Sequence, residues 1–154
     1  MRSSLSINTA KLDALYELAL LNGIPVDEGC PESIVSMSVR LPNGMKIVSL
    51  SDMQSEDSTK LERFAHEMGH CMTDSFYAGY SPFELRVKHE HSANEWAVRR
   101  LMPFDELCLA VKRGYREIWE LAEHFDVSCE FVKKAINIYE ENGQTVPPEL
   151  YSEY

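Results

Sequence analysis

The pentapeptide HEMGH at residues 66–70 has the residue types and the spacing to bind a metal ion and activate water. His66 and His70 are four residues apart, so in an α-helix they lie on one face and can share a divalent metal. Glu67 lies between them and can act as a general base toward a water molecule. The alternative is a surface helix with two solvated imidazoles. The motif thus predicts a metal-dependent hydrolytic site.

The apolar residues around this motif predict the helix that it needs. They recur at helical spacing on the side opposite the two imidazoles, so the helix can bury one face and present the other to a cleft. These residues are Leu61, Ala65, Met68 and Met72. Gly69 costs about 1 kcal/mol relative to alanine in the middle of a helix. We therefore predict that another backbone approaches the helix closely at this glycine.

Two histidines leave a zinc ion in need of a third protein ligand. The downstream candidates are Asp74, Glu84, His89, Glu90, His91 and Glu95. Glu90 is favoured because nineteen residues separate it from His70, a gap typical of zinc peptidases with a third glutamate ligand on the following helix. Asn94 lies one turn after Glu90 and can hydrogen-bond a ligating histidine, which fixes its tautomer. The alternative for Glu90 is a solvated acid on a helix surface.

Four further residues lie near these ligands in the sequence. His89 and His91 flank Glu90 and project about 100° to either side of it, where they could contact substrate or hold a carboxylate. Tyr77 and Tyr80 lie on the connection between the two ligand helices, where a phenol could stabilise an oxyanion. The alternatives are a surface position for each histidine and loop packing for each tyrosine.

The remaining patterns predict an α+β fold that is dominated by helices and has a small antiparallel sheet. A period of two over residues 35–41 and a second apolar run over 45–50 flank Asn43-Gly44, which indicates a β-hairpin. Helices are predicted over 9–21, 59–72, 81–102, 104–113, 115–124 and 128–141. We expect one domain over residues 1–143 and a flexible tail over 144–154.

Composition limits the classes of partner. There are 15 Lys+Arg and 25 Asp+Glu, so the net charge is −10, which repels phosphate backbones and anionic lipids. Acids interrupt the apolar residues near the amino terminus, so we expect no signal peptide, no membrane partner and a cytoplasmic location. The four cysteines are widely spaced and are expected to be free thiols.

The sequence resembles the ImmA/IrrE metallopeptidases in three motifs that occur in order. These are HEMGH at 66–70, EHSANEWA at 90–97 and Leu-Met-Pro at 101–103. The resemblance covers about Leu61 to Phe104 and extends loosely over the hairpin and the C-terminal helices.

The resemblance implies a zincin-like domain with zinc endopeptidase activity. It implies that His66, His70 and Glu90 bind Zn²⁺ and that Glu67 is the catalytic base. It further implies a protein substrate, a helix-turn-helix repressor of a phage or mobile element, which the enzyme cleaves or inactivates. An anti-repressor of this kind would bind an extended substrate, and we expect strand pairing with an edge of the small sheet.

Two other functions stay open. Residues 121–136 resemble a helix-turn-helix, which would suit a DNA-binding regulator. However, residues 114–142 contain three basic and seven acidic side chains, whereas a DNA-binding face is basic. We therefore interpret them as two packed helices, which could instead dock the repressor, and expect no nucleic acid partner. The second alternative is a zinc-bound module that regulates a repressor by contact, without hydrolysis.

Overall fold

A computed structural model describes residues 4–31, 35–51 and 57–151 of the chain. The helices are α1 (Ser4–Leu21), α2 (Asp57–Thr73), α3 (Phe83–Leu101), α4 (Phe104–Lys112), α5 (Ile118–Phe125) and α6 (Cys129–Glu141). The strands are β1 (Val26–Cys30), β2 (Ser36–Arg40) and β3 (Lys46–Ser51), and a 3-10 turn covers Pro148–Tyr151. The fold is α+β and dominated by helices, as predicted.

The sheet contains the predicted hairpin and one strand that was not predicted. β2 and β3 pair antiparallel, with Ser38 opposite Val48, and the strand order is β1-β3-β2. β1 pairs with β3 in parallel, so the sheet is mixed, whereas the prediction was a small antiparallel sheet. The residues of β1 do not alternate in burial, which explains why no period of two marked this strand. β2 lies at an edge of the sheet.

Helix α2 packs its apolar face against α1, β2 and β3. Leu61, Phe64, Ala65 and Met68 are fully buried, and the ring of Tyr16 on α1 contacts the ring of Phe64 at 4.8 Å between centroids. Met72, the last residue of the predicted apolar stripe, is 38% exposed because the helix ends one residue later. The predicted packing face is confirmed over its first three residues.

The chain groups into two compact units, Met1–Ala97 and Val98–Tyr154. Within the second unit, α5 and α6 pack together, and Ser128 caps α6 by accepting a hydrogen bond from the N–H of Phe131 at 3.1 Å. Val146 is 1% exposed, so the predicted tail packs at this residue, where an isolated valine gave no periodic signal.

The four cysteines are thiols, as predicted. Cys71 is buried, and burial raises the pKa of its thiol to about 11. No helix in the described part of the chain combines the length and the apolar character that crossing a bilayer requires.

Candidate metal centre

Helix α2 presents His66 and His70 side by side. Their rings meet edge to face with centroids 4.8 Å apart, and their Nε2 atoms are 3.2 Å apart. His70 is buried and His66 is partly exposed. This arrangement follows directly from the spacing of four residues on one helix, since such residues are neighbours on its surface.

Helix α3 brings Glu90 to the two imidazoles. Its Oε2 lies 3.1 Å from Nε2 of His66, and its Oε1 lies 3.1 Å from Nε2 of His70. One donor atom from each of the three residues falls within 4.8 Å of the other two. The structure therefore assembles the three predicted ligands into one cluster.

The cluster has the dimensions and the donor atoms of a zinc site. Donors that share one tetrahedral zinc at about 2.0–2.1 Å lie about 3.3 Å from one another. Here the two Nε2 atoms are 3.2 Å apart, and each lies 3.1 Å from the nearer of the two Glu90 oxygens. Two imidazole nitrogens and a carboxylate oxygen suit zinc and leave a fourth position for water or substrate. The residues present fit the metal.

A close approach of two backbones makes this cluster possible. A Cβ atom added at Gly69 would lie 2.4 Å from the carbonyl oxygen of Ala93 and 2.9 Å from its Cα. Only glycine leaves room for α3 to pass so near α2. The predicted reason for a glycine in the middle of this helix is confirmed.

Each histidine is oriented through its other ring nitrogen. Nδ1 of His66 lies 2.9 Å from Oδ1 of Asn94, and Nδ1 of His70 lies 2.6 Å from the carbonyl oxygen of Ser75. Both partners are acceptors, so each Nδ1 donates its proton and each Nε2 has a free lone pair for a metal. Asn94 thus makes the contact that the sequence predicted. The part played by Ser75 was missed, because a backbone carbonyl has no signature in the sequence.

The end of α2 places that carbonyl. Asp74 adopts a left-handed conformation with φ of 52°, and the N–H of Ser75 donates to the carbonyl of His70 at 3.0 Å, as in a Schellman ending. Arg40 on β2 donates two hydrogen bonds to the Asp74 carboxylate, at 2.7 and 2.8 Å. These bonds hold the pKa of Asp74 below its usual range. The turn therefore links the helix ending, the edge strand and a candidate ligand.

Glu67 faces the same cavity but belongs to a different set of contacts. It is 6% exposed, and its Oε1 accepts a hydrogen bond of 2.8 Å from the hydroxyl of Ser36 on β2. The cavity has a volume of about 350 Å³ and is lined by residues 36–39 and 75–77 together with His66, Glu67, His70 and Glu90. Ser36 was not among the predicted site residues, because its only signal in the sequence is its place at the start of a strand of the hairpin.

The remaining predicted residues divide into two groups. The hydroxyl of Tyr77 donates to Oε1 of Glu90 at 2.8 Å, and the Tyr77 ring stacks on His89 at 6.5 Å. The hydrogen bond to Glu90 raises the pKa of Tyr77. Tyr80 and His91 are absent from the described lining of the cavity: Tyr80 is 94% exposed, and His91 lies 3.9 Å from Glu95.

A comparison with protein families shows to which family the chain belongs. Residues 34–137 match the model of peptidase family M78, described as the IrrE N-terminal-like domain. The chain belongs to this family. Neither the curated proteins nor the solved structures include a match. Membership in this peptidase family supports a metallopeptidase, and the convergence of His66, His70 and Glu90 agrees with a metal centre of that class.

Proposed function

We propose that this chain is a zinc-dependent endopeptidase that cleaves a helix-turn-helix repressor of a phage or mobile element. One observation carries the enzymatic part. Three donor atoms converge from α2 and α3, while the buried Glu67, which is not among them, faces the same cavity. A purely structural zinc site would be closed by four protein ligands.

His66, His70 and Glu90 would hold the metal, and Asn94 and Ser75 would keep the two imidazoles in the required tautomer. A bound zinc ion supplies a Lewis acid that acidifies water and polarises the scissile carbonyl. The three residues line the cavity beside β2, where a peptide bond can enter.

Glu67 performs the proton transfers. Its carboxylate accepts a proton from the attacking water, whose oxygen bonds to the carbonyl carbon. The same proton then passes to the amide nitrogen as the C–N bond breaks, which gives a carboxylic acid and an amine. The second proton of the water then passes to the amine, so that the products are a carboxylate and an ammonium group. Burial within the cavity keeps the carboxylate away from competing bulk water.

The edge strand β2 offers a way to bind the substrate in an extended conformation. Residues 36–39 line the cavity, and the order β1-β3-β2 leaves β2 at the edge of the sheet. An added peptide strand would pair with backbone groups and place its carbonyl near the metal. A crystal structure with a bound peptide that makes no strand pairing would refute this binding mode.

The choice of a repressor as substrate rests on the resemblance to the ImmA/IrrE metallopeptidases. The test is co-expression with the repressor encoded beside the gene, followed by mass spectrometry of cut fragments. We expect cleavage by the wild type and by Glu62→Gln, a matched control on α2. Glu67→Gln should bind zinc as the wild type does and should lose at least about 100-fold in rate.

The same variant distinguishes regulation by contact. If Glu67→Gln still inactivates the repressor at the wild-type level, peptide hydrolysis is not the mechanism and a zinc-bound contact module is. A DNA-binding regulator would instead bind operator DNA by itself in gel shifts at low salt. We expect no such binding, because residues 114–142 have a net charge of −4.

A further inference from the structure

We propose that Ser36 is a positioning residue for Glu67, and that it decides which carboxylate oxygen takes up the proton. This inference rests on the proposed function, in which Glu67 is the general base. It concerns a residue of the edge strand that belongs to no recognised motif of the sequence.

The contact is short and is held from both sides. The Ser36 hydroxyl donates to Oε1 of Glu67 at 2.8 Å, and Glu67 is 6% exposed. Ser36 begins β2, where its Cα pairs with Leu50 of the central strand, and Leu50 is 2% exposed. The donor is therefore fixed by the sheet and the acceptor by helix α2.

This hydrogen bond makes the two oxygens of Glu67 unequal. A carboxylate has two oxygens that are equivalent in water and can rotate about the last side-chain bond. Because Oε1 accepts from Ser36, Oε2 is the oxygen left to accept the proton of the attacking water. The hydroxyl keeps its own proton throughout, so Ser36 orients the base and is not consumed.

The contact also connects the base to the strand that would bind substrate. Ser36 lies in the segment of β2 that lines the cavity. A peptide that pairs with β2 would fix the strand, and with it the hydroxyl that holds Glu67. Occupation of the edge and alignment of the base are thus coupled through one side chain.

The test compares Ser36→Ala and Ser36→Thr, with Ser92→Ala as a matched control. Ser92 donates to the carbonyl of Lys88 on α3 and is absent from the described lining of the cavity. Threonine retains the hydroxyl and suits a strand. The kinetic probe is the member of a quenched-fluorescence decapeptide library that the zinc-loaded wild type cleaves best. Zinc affinity is measured by competition with a chelator.

We expect Ser36→Ala to lower kcat about tenfold, since a hydrogen bond to a charged group is lost. KM and the zinc Kd should stay within about twofold of the wild-type values, because no ligand is removed. Ser36→Thr should recover most of kcat, and Ser92→Ala should match the wild type.

A binding measurement separates this proposal from the proposed function. Acetohydroxamate binds zinc and gives up a proton to an adjacent base, so its affinity reports the alignment of Glu67 without turnover. We expect Ser36→Ala to weaken it about fivefold and Ser36→Thr to restore it. If the wild type cleaves neither peptides nor repressor, the proposed function fails, and this measurement still decides the positioning role.

Three results would overturn the proposal. Ser36→Ala could equal Ser92→Ala in kcat and in acetohydroxamate affinity. Ser36→Ala could lose zinc or unfold, which would make the role structural. Ser36→Thr could fail to recover what Ser36→Ala loses.

Discussion

The backbone of Ala93 on α3 passes directly over Gly69 on α2, with its carbonyl oxygen 2.4 Å from where a Cβ would lie. Glycine is therefore required because any side chain at this position would clash with the backbone of Ala93, and not because of its φ angle. Three residues before Ala93, on the same face of α3, Glu90 reaches the two histidines. The separation of the two helices at this glycine thus sets the position of the third ligand.

Replacing Gly69 with alanine should move the two helices apart. We expect Gly69→Ala to lower the free energy of unfolding by about 1–3 kcal/mol, as overpacking does, and to weaken zinc binding more than tenfold. Urea unfolding and chelator competition measure the two effects. Gly79→Ala is the control, because nothing lies within 4 Å of its added Cβ. Equal results for the two variants would contradict the close approach.

Removing the partner of His66 should weaken metal binding without dismantling the site. Asn94→Ala takes away the acceptor that orients His66, and changes of this kind cost about 10–100-fold in metal affinity. Asn94→Asp keeps an acceptor oxygen and should bind zinc nearly as the wild type does. Asn137→Ala, at an exposed position on α6, is the control. A zinc Kd unchanged in Asn94→Ala would refute the orienting role.

The left-handed conformation at the end of α2 makes a prediction about Asp74. Glycine adopts this conformation freely, whereas alanine pays about 1 kcal/mol. We expect Asp74→Gly to retain the wild-type stability and zinc affinity, and Asp74→Ala to lose about 1 kcal/mol in urea unfolding. Both variants lose the ion pair with Arg40, which is exposed and contributes little to the stability of the wild type. If both variants were equally unstable, the carboxylate would matter more than the backbone.

The same carboxylate should make stability depend on pH. Hydrogen bonds from Arg40 lower the pKa of Asp74 in the folded state below its value in the unfolded chain. The stabilisation is therefore fully present above the unfolded value, and it is lost as pH falls through the folded value. Unfolding free energies measured at several pH values from 6 to about 3 should fall slightly less steeply in Arg40→Gln than in the wild type, and the difference is small because the pair is exposed. Parallel curves would contradict the linkage.

The two tyrosines of the α2–α3 connection should behave differently. Tyr77→Phe removes the hydrogen bond to Glu90 and should weaken zinc binding about threefold, a modest effect because both side chains are partly exposed. Tyr80→Phe should bind zinc as the wild type does, since Tyr80 is 94% exposed. Chelator competition on the two variants in parallel gives the comparison. A larger effect from Tyr80→Phe would contradict the geometry described here.

The sequence predicted those features of the site whose residues all lie on one helix or one hairpin. His66 and His70 are neighbours on one helix, and Asn94 follows Glu90 by one turn on another, so helical spacing alone predicted their faces. The hairpin was equally local, because Asn43-Gly44 and the two flanking runs are adjacent in the chain.

Two of the missed features join distant parts of the chain. Ser36 meets Glu67 across 31 residues, and β1 pairs in parallel with β3, which is not the next strand along the chain. The carbonyl of Ser75 acts through the backbone, which every residue has. Val146 is buried although it belongs to no periodic pattern.

Helix α3 carries the third ligand at Glu90, the residue that contacts Gly69 at Ala93 and the partner of His66 at Asn94. One extra residue inserted between Glu90 and Ala93 would rotate the rest of the helix by about 100° relative to Glu90. Ala93 would then no longer face Gly69, and the amide of Asn94 would no longer face His66. An insertion beside Gly79 changes only the length of a surface connection, which such segments absorb readily. Length variation in this protein is therefore tolerated beside Gly79 and forbidden between Glu90 and Asn94.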